Sequence, residues 1–265
     1  MRISSTDNPI YRRLKQLATS PRACRDAHRT LIEGVHVLQA ALDARATIHA
    51  LVLRGTEQSA EAIALVPRAE AQSKAKLIEL TPALYDAISP VEHGAGVLAE
   101  IEFETLPWPK QIVEDAIYLD NVQDPGNVGT LLRTAAAAGV RHAIAGPRCA
   151  FFWSPKVMRA AMGAHFVLDL REQITPQAVR DAFTGEILAA DATDGEDLFA
   201  AEWGRDATVW LFGGEGRGLT ADTLLAADRR LRIPIDGLVE SLNVGAAAAV
   251  CLFEQKRRRD YRALS

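Results

Sequence analysis

From residue 112 onward, short apolar segments that suit β-strands alternate with segments that have the apolar spacing of helices. Strands joined by intervening helices form a mostly parallel sheet with helices on both faces. The pattern therefore predicts an α/β fold for this part of the chain. In chain order we expect strand 117–120, helix 128–138, strand 142–145, helix 154–162, strand 166–170, helix 176–183, strands 187–190 and 208–212, helix 221–227, strand 231–235 and helix 242–259.

The first hundred residues also alternate, in a smaller pattern that predicts a separate α/β domain. Residues 105–110 read T-L-P-W-P-K, and two prolines around a tryptophan suit a semi-rigid linker. The expected division is a domain at 1–104, a linker at 105–111 and a domain at 112–265. Within the first domain we expect helices at 8–20, 31–44, 57–66 and 82–88, and strands at 48–53, 76–80 and 97–103.

Composition excludes several classes of protein. The chain is 48% apolar over 265 residues, which is enough for well-packed cores and does not indicate disorder. Cys24, Cys149 and Cys251 lie far apart and no C-x-x-C occurs, so neither a disulfide framework nor a metal site is expected. Cys251 is expected to be a packed apolar residue. No apolar run is long enough for a membrane span and the N-terminus lacks a signal peptide, so we expect a cytoplasmic protein.

The charge is unevenly distributed. A net charge of -4 is a mild argument against a nucleic-acid binder. However, residues 1–29 carry seven basic side chains against two acidic ones. A basic patch on an acidic body can still bind phosphate, although a solvated helix explains these residues equally well.

Residues 121–139, N-V-Q-D-P-G-N-V-G-T-L-L-R-T-A-A-A-A-G, follow directly after a predicted strand. D-P-G forces a turn, and a helix begins just after it. Arg133 points away from the apolar face of that helix, since it lies about 200° round from Leu131. A turn that opens a helix at the end of a strand is where α/β proteins bind ligands.

Two later stretches have the same strand–loop setting. Residues 213–218 contain four glycines in six positions, and they match neither a dinucleotide fingerprint nor a Walker A loop. Residues 233–249 read I-P-I-D-G-L-V-E-S-L-N-V-G-A-A-A-A, where Ser241 is well placed to cap the last helix. Because all three loops follow strands at one edge of the sheet, we expect them to converge on one pocket.

These three stretches resemble the motifs of the SpoU, or TrmH, family of RNA ribose 2′-O-methyltransferases, which belong to the SPOUT class. The residues concerned are N-x-x-D-P-x-N-x-G-x-x-x-R-x-A at 121–135, G-x-E-G-x-G-L at 213–219, and I-P through S-L-N-V at 233–244. The first domain, notably T-L-I-E-G-V-H-V-L-Q-A-A-L at 30–42, looks like the substrate-binding domain of many members, which is similar to small RNA-binding ribosomal proteins. One departure is Gly245, where many members carry serine.

The resemblance implies S-adenosylmethionine as cofactor, RNA as substrate, a trefoil knot and a homodimer, with no metal and no membrane partner. It places catalytic residues at Asn127, Arg133, Glu215, Ser241 and Asn243. Cofactor contacts, mostly from main-chain groups, are expected at Gly213, Gly214, Gly218, Ile233 and Leu242. The candidate RNA contacts are Arg12, Arg13, Lys15, Arg22 and Arg25.

Several alternatives stay open from the sequence. The resemblance assigns Arg133 the role of base, whereas a guanidinium that is almost always protonated favours positioning of a phosphate or oxyanion. The substrate is expected to be ribosomal RNA, with transfer RNA as the second choice. Other possibilities are a non-catalytic RNA-binding protein that keeps the fold and a methyltransferase that acts on a base.

Overall fold

A computed structural model of the chain describes residues 1–55, 57–91, 94–204, 206–237 and 239–262. The chain divides into two compact units. The first consists of Met1–Thr105 together with Phe151–Phe166, and the second consists of Leu106–Ala150 and the chain from Val167 onward. Within the described ranges, no helix combines the length and the apolar character that crossing a bilayer requires.

The first unit contains a five-stranded sheet with helices packed on it. Its strand order is β1-β4-β3-β5-β2, in which β5 is antiparallel to both neighbours and the other pairs are parallel. The elements are β1 (Arg2–Ile3), α1 (Pro9–Thr19), α2 (Pro21–Ala27), β2 (Arg29–Glu33), α3 (Val35–Asp43), β3 (Ile48–Arg54), α4 (Ala60–Ser73), β4 (Lys76–Leu80), α5 (Pro82–Asp86) and β5 (Val97–Glu102).

The predicted helix 31–44 was wrong at its start. Residues Arg29–Glu33 form strand β2, and α3 begins only at Val35. Gly34 separates them with a φ of 103°, which ends one element and turns the chain into the next. The apolar side chains of residues 31–32 have a helical spacing relative to those of α3. A prediction from periodicity alone therefore extended the helix across the turn.

The remaining chain supplies the second unit and one helix of the first. The elements are β6 (Ala116–Asp120), α6 (Pro125–Ala138), β7 (His142–Ala145), α7 (Pro155–Ala161), a 3-10 turn (Ala164–Phe166), β8 (Asp169–Arg171), α8 (Pro176–Ala182), β9 (Glu186–Ala190), β10 (Glu196–Asp197), β11 (Thr208–Gly213), α9 (Ala221–Ala226), β12 (Arg229–Arg232) and α10 (Val244–Arg262). Helix α7 belongs to the first unit.

Aromatic contacts explain why residues 151–166 group with the first unit. Trp153 stacks on Phe103 with ring centroids 4.8 Å apart, and its carbonyl oxygen accepts a hydrogen bond from Thr30 Oγ1 at 2.6 Å. Met158 of α7 is fully buried in the core cluster built by α3, β3 and β5. The predicted division at 105–111 places residues 151–166 in the second domain, whereas the structure packs them into the first unit.

The second unit has a seven-stranded sheet in the order β10-β12-β9-β11-β6-β7-β8. Every pairing among these described strands is parallel, which confirms the predicted mostly parallel sheet. The short strand β10 was not predicted, because two residues carry no periodicity.

Strand β11 shows how the sheet is covered on both faces. Side chains alternate along a strand, so Val209 and Leu211 share one face and pack in a cluster with residues of α8 and α9. On the opposite face, Trp210 Nε1 donates a hydrogen bond of 2.6 Å to Gln255 Oε1 of α10. All of β11 up to Phe212 is buried, and the strand runs through the centre of the unit.

The predicted linker is not a free spacer in its second half. Trp108 packs against the core cluster of the second unit, and Arg171 Nε donates a hydrogen bond of 3.0 Å to the carbonyl oxygen of Pro107. Residues 106–111 therefore belong to the packed structure of this unit. Because its strands are parallel, the loops that follow β6, β9, β11 and β12 all leave from the same edge of the sheet.

Candidate active site

The loop after β6 fixes the first turn of α6. Asp124 is the N-cap of this helix, and its Oδ1 accepts a hydrogen bond of 2.8 Å from the main-chain N–H of Asn127. Pro125 occupies the first turn, where its missing N–H costs nothing. This cap places the Asn127 side chain on the first turn, at the edge of the sheet where the strand ends.

The glycine-rich loop after β11 lies directly against the loop after β6. A Cβ atom on Gly214 would overlap the carbonyl oxygen of Asn121, and one on Gly213 would overlap the main chain of Gly218. The main-chain N–H of Gly214 donates to the carbonyl oxygen of Asp120 at 2.9 Å. The buried Asp120 carboxylate accepts a hydrogen bond of 2.6 Å from the N–H of Thr220, which anchors the exit of the loop. Glycine is required here by close approach of main chain to main chain.

The start of α10 brings the third loop to the same place. Asn243 caps the helix, because its Oδ1 accepts a hydrogen bond of 2.9 Å from the N–H of Gly245. The prediction that Ser241 caps this helix was wrong, since the helix begins at Val244. Both residue types can cap a helix, and only the tertiary contacts of Asn243 decide between them.

The amide nitrogen of Asn243 joins the three loops. Its Nδ2 donates to Asn127 Oδ1 at 3.0 Å and to Glu215 Oε1 at 2.7 Å. If the Asn243 amide were rotated by half a turn, its oxygen would face Asn127 Oδ1 and Glu215 Oε1, which are both acceptors, and its nitrogen would face the N–H of Gly245. The orientation in the structure therefore satisfies all three partners. We call Asn127, Glu215 and Asn243 the amide cluster. Three residues far apart in sequence, each predicted to be catalytic, thus lie in hydrogen-bond contact.

A cavity of about 400 Å³ lies beside the amide cluster, within the usual size range for small-molecule sites. Its walls combine main chain from the glycine loop with apolar side chains, which suits a nucleoside with polar edges. All the predicted cofactor contacts line it, as do Glu215 and Ser241. These contacts are Gly213, Gly214, Gly218, Ile233 and Leu242.

The sequence analysis missed a further loop that lines the cavity together with the second and third motif loops, whereas no residue of the loop after β6 lines it. Asp191 and Thr193 follow β9, and the Asp191 carboxylate accepts hydrogen bonds from the N–H and the hydroxyl of Thr193 at 2.9 and 2.8 Å. The available signal was that strand 187–190 ends at the same edge as the other three loops. Its residues carry no recognisable motif, so only the edge position could have identified them.

Arg133 lies apart from the amide cluster. It is exposed on α6, six residues after Asn127 and therefore about 9 Å further along the helix axis. Its guanidinium has no hydrogen-bond or ion-pair partner within the part of the chain that the structure describes. The structure thus leaves Arg133 available for contact outside its own chain and does not bring it to the cavity wall.

The five predicted RNA contacts differ in what they already bind. Arg13 donates to Glu100 at 2.6 Å, and Glu100 is fully buried, so Arg13 neutralises an internal carboxylate. The Arg25 guanidinium lies 4.2 Å from the centre of the Phe151 ring. Three others project from α1 and α2 with exposed side chains. Arg12 is one of them, and it pairs with Asp7. The other two are Lys15 and Arg22, and the Arg22 side chain is 90% exposed.

The free cysteines take no part in this geometry. Cys251 is fully buried in α10, and burial raises the pKa of its thiol far above the ordinary value. A neutral, buried thiol is a poor nucleophile, in line with the prediction that this residue is a packing residue.

Two parts of the chain match models of known protein families. Residues 115–253 match the model of the SpoU rRNA Methylase family, and residues 8–99 match that of the MRM3-like substrate binding domain. An uncharacterized tRNA/rRNA methyltransferase of Synechocystis sp. is 31% identical over 97% of this chain and 94% of its own length. The chain belongs to the SpoU family.

Two further similarities are to proteins named as rRNA methyltransferases. The 23S rRNA (guanosine-2′-O-)-methyltransferase RlmB of Bordetella pertussis is 36% identical over 66% of this chain and 75% of its own length. The crystal structure of an AdoMet-bound rRNA methyltransferase from Sinorhizobium meliloti superposes with a TM-score of 0.84 at 26% identity, over 97% of this chain and 98% of that one. The predicted family, enzyme class and methyl donor are confirmed: this SpoU protein is an RNA ribose 2′-O-methyltransferase that uses S-adenosylmethionine.

Proposed function

We propose that this SpoU enzyme methylates the 2′-hydroxyl of one ribose in ribosomal RNA. The observation that carries the assignment of the site is the Asn243 amide, which joins three motif loops beside a cavity of about 400 Å³. Ribosomal RNA is supported by the names of the relatives, including RlmB of Bordetella pertussis. A transfer RNA substrate is the second choice.

The cavity provides what the methyl donor requires. Main-chain groups near Gly213, Ile233 and Leu242 would hold the adenosine part, while apolar walls exclude water from its ring. When bound, S-adenosylmethionine would supply a methyl group to the ribose 2′-oxygen, with its sulfur leaving as a neutral thioether and the hydroxyl proton released to solvent. Glu215 lines the cavity, and its carboxylate accepts a hydrogen bond from Asn243 Nδ2, so its negative charge would favour a positively charged group bound there.

The amide cluster fixes where the reacting groups meet. Asn127 belongs to α6, which also carries Arg133, and Asn243 begins α10. A rigid connection between these two helices keeps the site of transfer at a constant distance from the substrate contacts on α6. Holding two reactants in place contributes several kcal/mol to a reaction of this kind.

Arg133 acts on the RNA and not on the donor in this proposal. Its guanidinium stays protonated at any physiological pH, so it suits a phosphate or a developing oxyanion beside the 2′-hydroxyl. An exposed guanidinium that has no partner among the described residues is available for such a contact. The role of general base, which the family resemblance implies, is the alternative.

The first unit would bind and select the RNA. The match of residues 8–99 to a substrate binding domain supports this role. Arg12, Lys15 and Arg22 are the best candidates for phosphate contacts, because their side chains project from α1 and α2 into solvent. Arg13 contributes less, since Glu100 already holds its guanidinium. The likeness of this unit to small RNA-binding ribosomal proteins stays a prediction.

We also propose a homodimer and a trefoil knot in the chain of the second unit, as the family resemblance implies, and a cytoplasmic location, as the sequence predicts. In a dimer, Arg133 of one subunit can serve the cavity of the other. A complementation assay tests this arrangement. If the residues act across subunits, a mixed dimer of Arg133→Ala and Asn243→Ala chains contains one intact site of two and should regain about half of the native dimer's activity. If both act within one chain, it should regain none.

The reaction itself is tested by locating the methyl group. Purified protein, ribosomal RNA and labelled S-adenosylmethionine should give a nucleoside whose added mass lies on the ribose, as read by mass spectrometry of nucleosides and free bases. A matched RNA with a 2′-deoxy residue at the mapped position should accept no label. A methyl group on the base would overturn the proposal, and so would binding of RNA without any transfer.

A further inference from the structure

Gly245 lies beside the amide cluster, where α10 packs against α6. It is buried in the first turn of α10, and its N–H donates to Asn243 Oδ1 at 2.9 Å. A Cβ atom added to Gly245 would lie 2.7 Å from Thr130 Cγ2 and 3.1 Å from Asn243 Oδ1. The methyl group of Thr130 therefore fills the space into which a side chain at position 245 would project.

Thr130 occupies a central place on α6. It lies three residues after Asn127 and three before Arg133, so it stands about 4.5 Å along the helix axis from each. Threonine is β-branched, and its methyl group has few alternative rotamers in a helix. The Thr130 side chain is exposed, so what keeps its methyl group beside Gly245 is the small number of rotamers open to threonine in a helix.

A short chain of contacts leads from Thr130 to the chemistry. The Thr130 methyl touches Gly245, Gly245 binds the side-chain oxygen of Asn243, and the Asn243 amide reaches Asn127 and Glu215. Thr130 and Asn127 both lie on helix α6, so this series of contacts begins and ends on the same helix. The distance between α6 and the first turn of α10 thus decides whether both amide hydrogen bonds can form together.

We propose that Thr130 is a positioning residue for methyl transfer, which acts through its methyl group on Gly245 and so holds Asn243 in the amide cluster. The proposal rests on the assignment of Asn243 to the active site under the proposed function. The hydroxyl of Thr130 has no part in it, since the Cγ2 atom makes the contact.

Two variants separate the methyl group from the hydroxyl. Thr130→Val keeps a methyl at the Cγ2 position and loses the hydroxyl, whereas Thr130→Ser keeps the hydroxyl and loses the methyl. At saturating RNA and S-adenosylmethionine, Thr130→Val should retain kcat within twofold of the native protein. Thr130→Ser should lower kcat threefold to tenfold, with KM for S-adenosylmethionine changed less than twofold. Simple loosening of the fold would not separate kcat from KM in this way.

A double-mutant cycle tests the contact itself. Gly245→Ser should lower kcat at least tenfold, because its Cβ collides with the Thr130 methyl and presses on Asn243. Thr130→Ala alone should lower kcat threefold to tenfold. The combination of Thr130→Ala with Gly245→Ser should recover at least threefold over Gly245→Ser alone, since the serine side chain then fills the vacated space.

The proposal is overturned if Thr130→Ser retains full kcat, if Thr130→Val is the variant that loses it, or if the double variant gains nothing over Gly245→Ser. Should Gly245→Ser fail to fold by circular dichroism, the valine and serine pair at position 130 decides alone. Asn243→Ala serves as the reference: full activity in that variant would overturn the assignment of the site, a result distinct from a failure of the Thr130 series.

Discussion

Replacing Asn243 by aspartate separates the two tasks of this side chain. Asparagine and aspartate cap helices equally well, so the oxygen that accepts from Gly245 is kept. The amide nitrogen becomes an oxygen that can donate nothing to Asn127 or Glu215. We therefore expect a folded enzyme with a broken amide cluster, whose folding stability falls by about 2 to 3 kcal/mol because the same contacts are lost from the folded state.

The loss of activity follows from the contact with Glu215. A hydrogen bond to a charged group such as the Glu215 carboxylate contributes about 2 kcal/mol. Two carboxylates at the former hydrogen-bond distance repel by about 1 kcal/mol in a solvent-exposed setting. Together these terms amount to about 3 kcal/mol, which corresponds to a loss of about a hundredfold in kcat if the cluster must be intact during transfer.

The assay is single-turnover methylation with labelled S-adenosylmethionine, combined with urea unfolding of the same preparations. Ser59→Ala is the matched control, because Ser59 caps α4 in the other unit through a hydrogen bond of 3.1 Å to the N–H of Ala62. It should lose about 1 kcal/mol of stability and keep its turnover rate. If Asn243→Asp methylated RNA within threefold of the native rate, the amide contacts would have no role in the reaction.

Three further predictions concern residues outside the amide cluster. Arg133→Ala should lower turnover at least a hundredfold and leave S-adenosylmethionine affinity within threefold in calorimetry; near-native turnover would contradict the assignment. Burial lowers the pKa of His165 from 6.5 to about 4, so its neutral form stabilises the fold above pH 6.5 and that stability is lost as pH falls toward 4. Between pH 7 and pH 5 this loss amounts to about 2 kcal/mol, and urea unfolding of His165→Gln should show a correspondingly smaller decline; an equal decline would refute it. Neutralising Arg12, Lys15 and Arg22 together should weaken RNA binding and reduce its salt slope by about 2 to 3, whereas an unchanged slope would exclude them as phosphate contacts.

The sheet of the second unit could be predicted because its local and tertiary signals agree. Strands buried on both faces read as continuous apolar runs, and the bounds of β7 match the prediction to the residue. The same holds for β4 in the first unit. One rule about strand ends in parallel sheets predicted that the three motif loops converge on one pocket. The amide cluster shows that the three loops meet, although only the second and third of them line the cavity.

The features that sequence could not predict depend on contacts between distant segments. The cap of α10 is Asn243 and not Ser241. The sequence could not show this, because the partners that hold the Asn243 amide come from two distant segments. The packing of residues 151–166 into the first unit depends on Trp153 stacking on Phe103. Likewise, glycine at position 245 reads as a soft helix start, and only the structure shows that the methyl of Thr130 occupies the missing side chain's place.

A crystal structure of the protein with S-adenosylmethionine would decide whether the loops after β6, β11 and β12 form a single donor site. We expect the ligand in the cavity of about 400 Å³, with its adenosine part against the main chain of Gly213 and Leu242 and its methyl group on the side of the amide cluster. Electron density for the ligand at any other place on the chain, with this cavity empty in the same crystal, would contradict that arrangement and the function built on it.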